Sequence, residues 1–174
     1  NLKILDLGCS NKNFWPEANH FADIHDYKSD FENLNLNYTQ IKPDEKLPFK
    51  DKEFDYVICT HVIEHVNHPM SFKEEIERIG KSGYIELPTR LNDNMVFGCD
   101  EDIYGHKWWF EFDDDKNKLI FAKKIDALEK FVSVGSIFNL TEIFDDSLII
   151  QIFWSDNIDM EQREPYKLEK KISF

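Results

Sequence analysis

The sequence predicts an α/β protein with a mostly parallel sheet, helices on both faces and an antiparallel hairpin at its carboxyl-terminal edge. Three observations lead to this fold class. Short apolar or β-branched runs, each followed by a polar turn, recur through the first half of the chain. One amphipathic segment separates two of these runs, as in a parallel crossover. Two later pairs of runs around acidic turns predict hairpins, one inserted and one terminal.

The composition bounds the size and the partners of this fold. With 174 residues, 41% of them hydrophobic, the chain can bury one core, and we expect a single domain over residues 1–174. The formal net charge of −13 opposes binding to a nucleic-acid polymer or an anionic membrane. Because the sequence has neither a leader nor an apolar run of about 20 residues, we expect a cytoplasmic protein.

Five strands are predicted in the first half of the chain, since each segment is apolar, β-branched or aromatic and is followed by turn residues. They cover residues 2–7, 20–24, 37–41, 53–60 and 83–87, the last ending at Pro88. Residues 69–80 predict a helix between the last two strands. There, Met70, Ile76 and Ile79 share one helical face and Gly80 can end the helix.

After Pro88 the sequence pattern changes from single strands separated by loops to pairs of apolar runs around polar turns. Residues 108–112 and 119–122 flank the polar stretch 113–118, which predicts the inserted hairpin. A helix follows over 125–132, and the terminal hairpin is predicted over 137–144 and 148–154. This divides the domain into a first half (1–88), an insertion with the hairpin (89–123), a terminal helix and hairpin (124–155) and a peripheral charged tail (156–174).

Polar residues follow the predicted strands at the edge where an open α/β sheet binds ligands. Asp6 and Gly8 end the first strand, Asp23 ends the second, Asp44 lies past the third, and Thr60 and His61 follow the fourth. Two further segments accompany them, L-P-F-K-D-K-E-F-D-Y-V at 47–57 and H-V-I-E-H-V at 61–66.

Residues 3–88, with these features, resemble the class I S-adenosylmethionine-dependent methyltransferases, especially the small-molecule branch that includes methyltransferase domain 11. That family has a Rossmann-like, seven-stranded sheet. Its first turn reads D-x-G-x-G-x-G. Here Asp6 and Gly8 match, whereas Ser10 and Lys12 replace the second and third glycines. Ser10 is still small enough for the backbone to approach the cofactor.

The resemblance implies roles for the strand-end residues toward S-adenosylmethionine. Asp23 accepts from the ribose hydroxyls, with Asp26 as the alternate, and Asp44 or Glu45 faces the adenine amine. Asp6 holds the first loop and reaches the amino group through water. The full cofactor set comprises Asp6, Gly8, Cys9, Ser10, Asp23, Ile24, Asp44, Glu45, Thr60 and His61.

Several of these residues also have a purely structural interpretation. Asp26 and Glu45, taken singly, are typical solvated surface charges. Cys9 and Cys59 suit small buried apolar positions better than nucleophiles. The odd number of cysteines, three in all, indicates reduced thiols rather than a disulfide framework.

The stretch from His61 to His65 also fits the H-x-x-E-H zinc motif of metalloproteases. Such a site needs a long helix carrying the motif and a third ligand downstream. Because residues 54–60 are strand-like and the next helix begins near Pro69, we predict no metal site. His65 then has the structural role of bracing the loop after the fourth strand.

Three histidines are candidates for a general base on an acceptor that bears a proton: His61, His65 and His106. His106 is the strongest, since Trp108 and Trp109 follow it and could stack on a sugar or ring. Alternatively, at least one tryptophan only anchors the hairpin. We expect a small-molecule acceptor, such as a sugar or sugar nucleotide, and leave the oligomeric state open. A degenerate, non-catalytic module that binds cofactor or a partner is the alternative suggested by the altered glycines.

Overall fold

The computed structural model describes residues 2–90, 92, 105–124 and 148–164. In chain order its elements are β1 (Ile4–Leu7), β2 (His20–Asp23), α1 (Lys28–Asn33), β3 (Asn37–Gln40), β4 (Tyr56–Thr60), α2 (Pro69–Ile79), β5 (Ser82–Pro88), β6 (Trp108–Asp113), β7 (Lys118–Lys123), β8 (Ile149–Ser155) and β9 (Met160–Gln162). The predicted helix over 125–132 and the predicted strand over 137–144 lie outside the described residues.

The main sheet confirms the predicted fold class. Its six described strands run in the order β3-β2-β1-β4-β5-β8. The first five are parallel, and β8 pairs antiparallel with β5 from Ser82 opposite Ser155 to Pro88 opposite Ile149. Strand β8 is the second arm of the predicted terminal hairpin.

Strand β4 is shorter than the sequence predicts. It begins at Tyr56 rather than Glu53, because Lys52 takes a left-handed φ of 53° and Phe54 forms only an isolated bridge with Gly80. Phe54 is nevertheless fully buried. Its aromatic character therefore reflects a core position and not membership of the strand.

Two buried clusters cover the opposite faces of the sheet. Leu5 and Leu7 of β1 belong to the larger cluster, whereas Ile4 packs against the smaller one, as expected where successive side chains point to opposite faces. Helix α2 adds Ile76 to the larger cluster, and helix α1 adds Phe31 to the smaller. The described helices therefore lie on both faces, as predicted.

Helix α2 matches its prediction closely. Pro69 begins the helix, where a missing N–H is tolerated, and the backbone N–H of Gly80 closes it on the Ile76 carbonyl. Ile76 and Ile79 are fully buried, and Met70 packs against the core from a half-buried position. No helix in the described part of the chain is long and apolar enough to cross a membrane.

The inserted hairpin is also confirmed, and it belongs to a second sheet. Strands β6 and β7 pair antiparallel from Trp108 opposite Lys123 to Asp113 opposite Lys118. Strand β9 then pairs parallel with β7, giving the order β6-β7-β9. Because Ile158 and Met160 are buried beside this sheet, the beginning of the predicted charged tail contributes to the core.

Candidate cofactor and acceptor site

The sheet brings the predicted strand-end residues to one edge. Strands β2, β1 and β4 are neighbours, and Asp6 is in register with Phe21 on one side and Ile58 on the other. Because all three strands are parallel, their carboxyl ends meet at the same edge. Asp23 ends β2 and Thr60 ends β4, so both lie beside the turn that follows Asp6.

The first turn requires glycine at position 8. Gly8 has a φ of +88°, and a Cβ there would lie 2.1 Å from Cγ2 of Val62, far inside van der Waals contact. Its N–H donates to the Ala22 carbonyl at 2.8 Å. The turn after β1 therefore packs directly against the loop after β4.

Ser10 closes the rest of this turn with its own side chain. The Ser10 hydroxyl oxygen accepts from the N–H groups of Lys12 at 3.3 Å and Asn13 at 2.9 Å, a local pattern typical of serine turns. A side-chain hydrogen bond thus organises the positions where the family pattern has glycines.

Asp6 is buried and holds the loop beyond the turn. Its side-chain Oδ2 accepts the Trp15 N–H at 2.8 Å, and the residue is only 2% exposed. Burial raises the pKa of Asp6 to about 6; the nearby Asp23 adds to this and the Trp15 hydrogen bond opposes it. Asp6 therefore ties the chain at Trp15 to the end of β1, and its predicted contact with the amino group of the cofactor stays a prediction.

One of the two carboxylate oxygens of Asp23 is hydrogen-bonded to a neighbouring residue. Its Oδ1 accepts from both the N–H and Nδ1 of His25, each at 2.8 Å. No hydrogen bond to Oδ2 occurs among the described residues, so that oxygen is available to a ligand. Ile24 packs against the core beside it. The alternate carboxylate, Asp26, accepts the Lys28 N–H at 3.1 Å at the start of α1.

The two candidates for the adenine amine differ in their surroundings. Asp44 has a left-handed φ of 55°, and its carboxylate accepts from the backbone and the side-chain amide of Asn67. This contact ties the loop after β3 to the loop after β4. Glu45 instead pairs with Lys42 at 3.6 Å with 60% of its side chain exposed, as its surface interpretation predicts.

The two described cysteines are buried and free. Burial raises the pKa of the Cys9 thiol, and the carboxylates of Asp6 and Asp23 raise it further. Burial likewise raises the pKa of Cys59. Because only a thiolate is a strong nucleophile, neither residue is suited to covalent catalysis. Cys9 lies in the turn after β1, directly after Gly8.

His61 begins the loop after β4 in a strained backbone conformation. Its φ is 54°, and its N–H donates to the Glu86 carbonyl at 2.8 Å. The imidazole lies between two carboxylates, with Nδ1 3.4 Å from Oε1 of Glu64 and Nε2 3.3 Å from Oε1 of Glu86. Glu64, and then Glu86, raise the pKa of His61, although burial opposes them.

The base of the inserted hairpin is fastened to this same loop. The Lys107 N–H donates to the Glu64 carbonyl and the Trp108 indole N–H to the Val66 carbonyl, both at 2.8 Å. His106 is thereby placed with Nε2 3.9 Å from Oε1 of Glu64. Its ring centroid lies 4.5 Å from that of His65. The structure therefore brings all three predicted histidines together.

Glu64 lies at the centre of this group, although it is not among the site residues predicted from the sequence. It is fully buried, and neither carboxylate oxygen accepts a hydrogen bond from the described residues. The H-x-x-E-H motif was the signal that could have found it. Residues 63–65 form a turn rather than a helix. The two histidines of the motif therefore do not lie on one helical face, as they do in the zinc site of metalloproteases, but the turn still keeps the motif residues close together.

The tryptophans after His106 act mainly as anchors of the hairpin. Trp109 is buried, with the Arg90 guanidinium 4.4 Å from its ring centroid, while Trp108 packs edge-on against Phe121. A cavity of about 560 Å³ opens against the second sheet and is lined in part by Arg90, Trp109 and Arg163. It includes none of the predicted cofactor residues.

Comparisons with known proteins agree with this arrangement. A family profile described as a methyltransferase domain matches residues 5–85. An uncharacterized protein of Methanocaldococcus jannaschii is 26% identical over 159 residues, which cover 82% of this chain and 66% of that protein.

Solved structures with low sequence identity are also similar. The YcgJ protein of Bacillus subtilis is 18% identical, with a TM-score of 0.43 over 51% of this chain and 44% of its own. A SAM-dependent methyltransferase of Thermotoga maritima is 17% identical, with a TM-score of 0.45 over 52% and 46% of the two chains. A SAM-dependent methyltransferase of Aquifex aeolicus is 15% identical, with a TM-score of 0.43 over 87% and 80%.

The present chain thus spans 66% of its Methanocaldococcus relative and less than half of the Bacillus and Thermotoga structures. The family match begins at Leu5 in β1 and ends at Ile85 in β5, so it coincides with the parallel half of the main sheet. Residues 5–85 thus match the model of the methyltransferase-domain family, in agreement with the resemblance identified from the strand-end residues.

Proposed function

We propose that this chain binds S-adenosylmethionine at the carboxyl edge of β1, β2 and β4 and transfers its methyl group to a small-molecule acceptor, such as a sugar or sugar nucleotide. One observation carries the proposal: the contact of Gly8 with Val62. It joins the turn expected to hold the methionine end of the cofactor to the loop that bears His61 and His65. Donor and acceptor sides are therefore adjacent.

The residues at this edge fit the cofactor. Gly8 gives the first turn its left-handed conformation and its close packing on Val62, which places the turn beside the loop after β4. Asp23 keeps one carboxylate oxygen for a ribose hydroxyl after its bonds to His25. Asp44 lies by Asn67 in the loop after β4, where its carboxylate can accept from an amine.

When bound, S-adenosylmethionine supplies a methyl group on a sulfonium, an activated leaving group, so the protein needs no covalent residue. The chain's own tasks are to orient the acceptor and to exclude water. Orientation alone can lower a barrier by about 7 to 11 kcal/mol. The hairpin base contributes by holding His106 beside Glu64.

A proton must leave an oxygen or nitrogen acceptor as it is methylated. The three clustered histidines supply candidates for the base, and His106 is the strongest because only 17% of its side chain is exposed, which limits access of water. The acidic net charge of −13 disfavours polyanionic acceptors and supports a small one.

Isothermal titration with S-adenosylmethionine tests the cofactor site. We expect binding by the wild type, and at least about tenfold weaker binding by Asp23→Asn, because a hydrogen bond to a charged group contributes about 1.5 to 3 kcal/mol. The matched control is Asp26→Asn, three residues further along the chain, which should bind as the wild type does. No heat at millimolar cofactor would overturn the proposal, and a larger loss in Asp26→Asn would transfer the ribose role to that residue.

The alternative is a non-catalytic module that binds the cofactor or a partner, and the Ser10 turn favours it. That turn is closed by a side chain rather than left open by glycine. Cofactor binding without turnover across a broad panel of small acceptors, together with a stable complex with another protein, would support this alternative over methyl transfer.

A further inference from the structure

We propose that Glu64, His65 and His106 form a binding site for a divalent first-row transition-metal ion of the zinc type. The sequence predicts no metal site, because the H-x-x-E-H motif of metalloproteases lies on a helix. The proposal rests on the described side chains and does not depend on cofactor binding. With an ion bound, His65 and His106 are ligands, and His61 is the remaining histidine that can act as the base.

The geometry brings three metal-ligating groups to one point. One ligand atom from each of the three residues lies within 4.8 Å of the other two, and Oε1 of Glu64 is 3.9 Å from Nε2 of His106. Ligand atoms about 2.0 to 2.2 Å from a tetrahedral ion stand about 3.3 to 3.6 Å apart. Side-chain adjustments of about 1 Å therefore close the site around an ion.

The state of Glu64 independently points to a cation. The residue is fully buried, and both carboxylate oxygens lack a hydrogen-bond donor among the described residues. A buried carboxylate is strongly unfavourable unless it is paired or coordinates a metal. A bound dication at Oε1 would compensate this burial, and a second oxygen is available for bidentate ligation.

His61 is the competing partner for this charge. Its Nδ1 lies 3.4 Å from Oε1 of Glu64, but 46% of its side chain is exposed and its other nitrogen faces Glu86. An ion pair with His61 leaves Oε2 of Glu64 without a donor. A metal ion bound by Glu64, His65 and His106 can contact both carboxylate oxygens of Glu64 and leaves His61 outside the ligand set.

The ligand positions are held in place before any ion binds. Backbone bonds fix the loop, from His65 N–H to the Val62 carbonyl at 3.0 Å and from Lys107 N–H to the Glu64 carbonyl at 2.8 Å. The imidazole rings of His65 and His106 meet at 76°, so they approach the carboxylate from different directions. A preorganised set of this kind favours tight binding.

The ligand chemistry selects the class of ion. Imidazole suits zinc, iron, copper and nickel, whereas all-oxygen sets suit magnesium and calcium. Two imidazoles and one carboxylate, with a fourth position left for water or an acceptor oxygen, are typical of a catalytic zinc site. The site differs from the metalloprotease motif because Glu64 is a ligand and His61 is not.

The test uses the full chain, stripped with a chelator and titrated with Zn²⁺ against a chromophoric competitor, with Co²⁺ as an optical probe. We expect one Zn²⁺ per chain and visible d–d absorption from bound Co²⁺. Glu64→Gln and His106→Ala should each weaken Zn²⁺ binding on the order of 100-fold or more. His68→Ala, an exposed histidine in the same loop, is the matched control and should bind as the wild type does.

Thermal unfolding shows whether the variants fold and gives a second readout. Saturating Zn²⁺ should raise the Tm of the wild type and of His68→Ala by about 5 to 10 °C, and should leave that of Glu64→Gln and His106→Ala unchanged. His106 lies at the hairpin base rather than in the core, so His106→Ala serves if Glu64→Gln does not fold.

The metal proposal fails if the wild type binds none of Zn²⁺, Co²⁺, Mn²⁺ or Fe²⁺ in the micromolar range, or if folded Glu64→Gln and His106→Ala bind Zn²⁺ as tightly as the wild type. Its failure is distinct from that of the proposed methyl transfer. Titration of the same samples with S-adenosylmethionine reports the cofactor edge alone, because Asp23 and Gly8 are intact in both variants.

Discussion

Two neighbouring regions differ in how their carboxylates are hydrogen-bonded. The cofactor edge comprises the strand-end residues around Asp6, Asp23 and Asp44, and the histidine cluster comprises His61, Glu64, His65 and His106. At the cofactor edge, each carboxylate has a hydrogen-bond donor of the protein: Asp6 has Trp15, Asp23 has His25 and Asp44 has Asn67. In the cluster, Glu64 is buried deepest, and Nδ1 of His61 approaches its Oε1 only to 3.4 Å, without meeting hydrogen-bond geometry. The carboxylates of Asp6, Asp23 and Asp44 are thus each satisfied by the protein, whereas the Glu64 carboxylate is the group on which the proposed metal site depends.

This difference indicates which carboxylate gains more free energy when it binds a ligand. A satisfied carboxylate must give up or share its protein donor when a ligand arrives, so the net gain is modest. An unsatisfied buried carboxylate gains the full interaction with an incoming cation, because it has already lost its water. We therefore expect the largest functional effects on the cluster side and smaller effects at the cofactor edge.

Removal of His106 should have the largest effect. His106→Ala takes a group from the cluster while leaving the cofactor edge intact, so kcat should fall about 10²- to 10⁴-fold. The Kd for S-adenosylmethionine should stay within about threefold of the wild type. Steady-state kinetics with the best acceptor from a panel, and titration calorimetry, measure the two quantities. An equal loss in kcat and cofactor affinity would show that the two regions are not separable.

Gly8→Ala should have the next largest effect, because it strains both regions at once. The positive φ and the 2.1 Å approach to Val62 should lower the free energy of unfolding by about 2 to 4 kcal/mol. In Gly8→Ala/Val62→Ala the steric part should be relieved and the backbone part retained. Urea denaturation of the single and double variants gives the coupling energy, and strict additivity would contradict direct contact.

Asp6 should make stability fall as the pH rises. Burial raises its pKa to about 6 from an ordinary 3.8, so the folded state holds the proton more tightly than the unfolded chain between these values. The free energy of unfolding should therefore decrease through this window, by up to about 3 kcal/mol.

Asp6→Asn is the control for this pH effect, since its side-chain carbonyl can still accept the Trp15 N–H but does not titrate. Urea denaturation from pH 4 to 7 should show the wild type losing stability relative to Asp6→Asn as the pH rises. A difference that stays constant over this range would show that Asp6 titrates normally.

The smallest effects should separate Asp44 from Glu45. Asp44→Asn weakens the pairing with Asn67 and removes a charge facing the proposed adenine position, so cofactor affinity should fall about fivefold. Glu45→Gln alters only an exposed pair with Lys42, and its effect should stay within about 0.5 kcal/mol. Titration calorimetry measures the affinity of both variants for S-adenosylmethionine. A larger loss in Glu45→Gln than in Asp44→Asn would assign the adenine contact to Glu45.

The sequence predicts those parts of the molecule whose contacts are close along the chain. The Ser10 turn, helix α2 and the hairpin of β6 and β7 each depend on residues within one element or two adjacent ones. Their patterns of apolar period and turn residues are therefore visible in the sequence. The strand ends are predicted for the same reason, because each carboxylate directly follows an apolar run.

Other features of the structure depend on contacts with residues that are distant in the sequence, and these are not visible in local patterns. Helix α1 has six residues, too few to show a helical period, and it depends on Phe31 packing against Phe21. Strand β9 depends on β7 for its hydrogen bonds. Glu64 has a defined role only because His106 returns to it through the hairpin, which no local pattern reveals.

The contact between Gly8 and Val62 packs the first turn against the loop that bears His61 and His65. Together with the pairing of β1 and β4, it builds the separation of the two loops into the folded chain before any ligand binds. Such a site requires little reorganisation when the reactants arrive, and catalysis benefits from groups already fixed in their final positions.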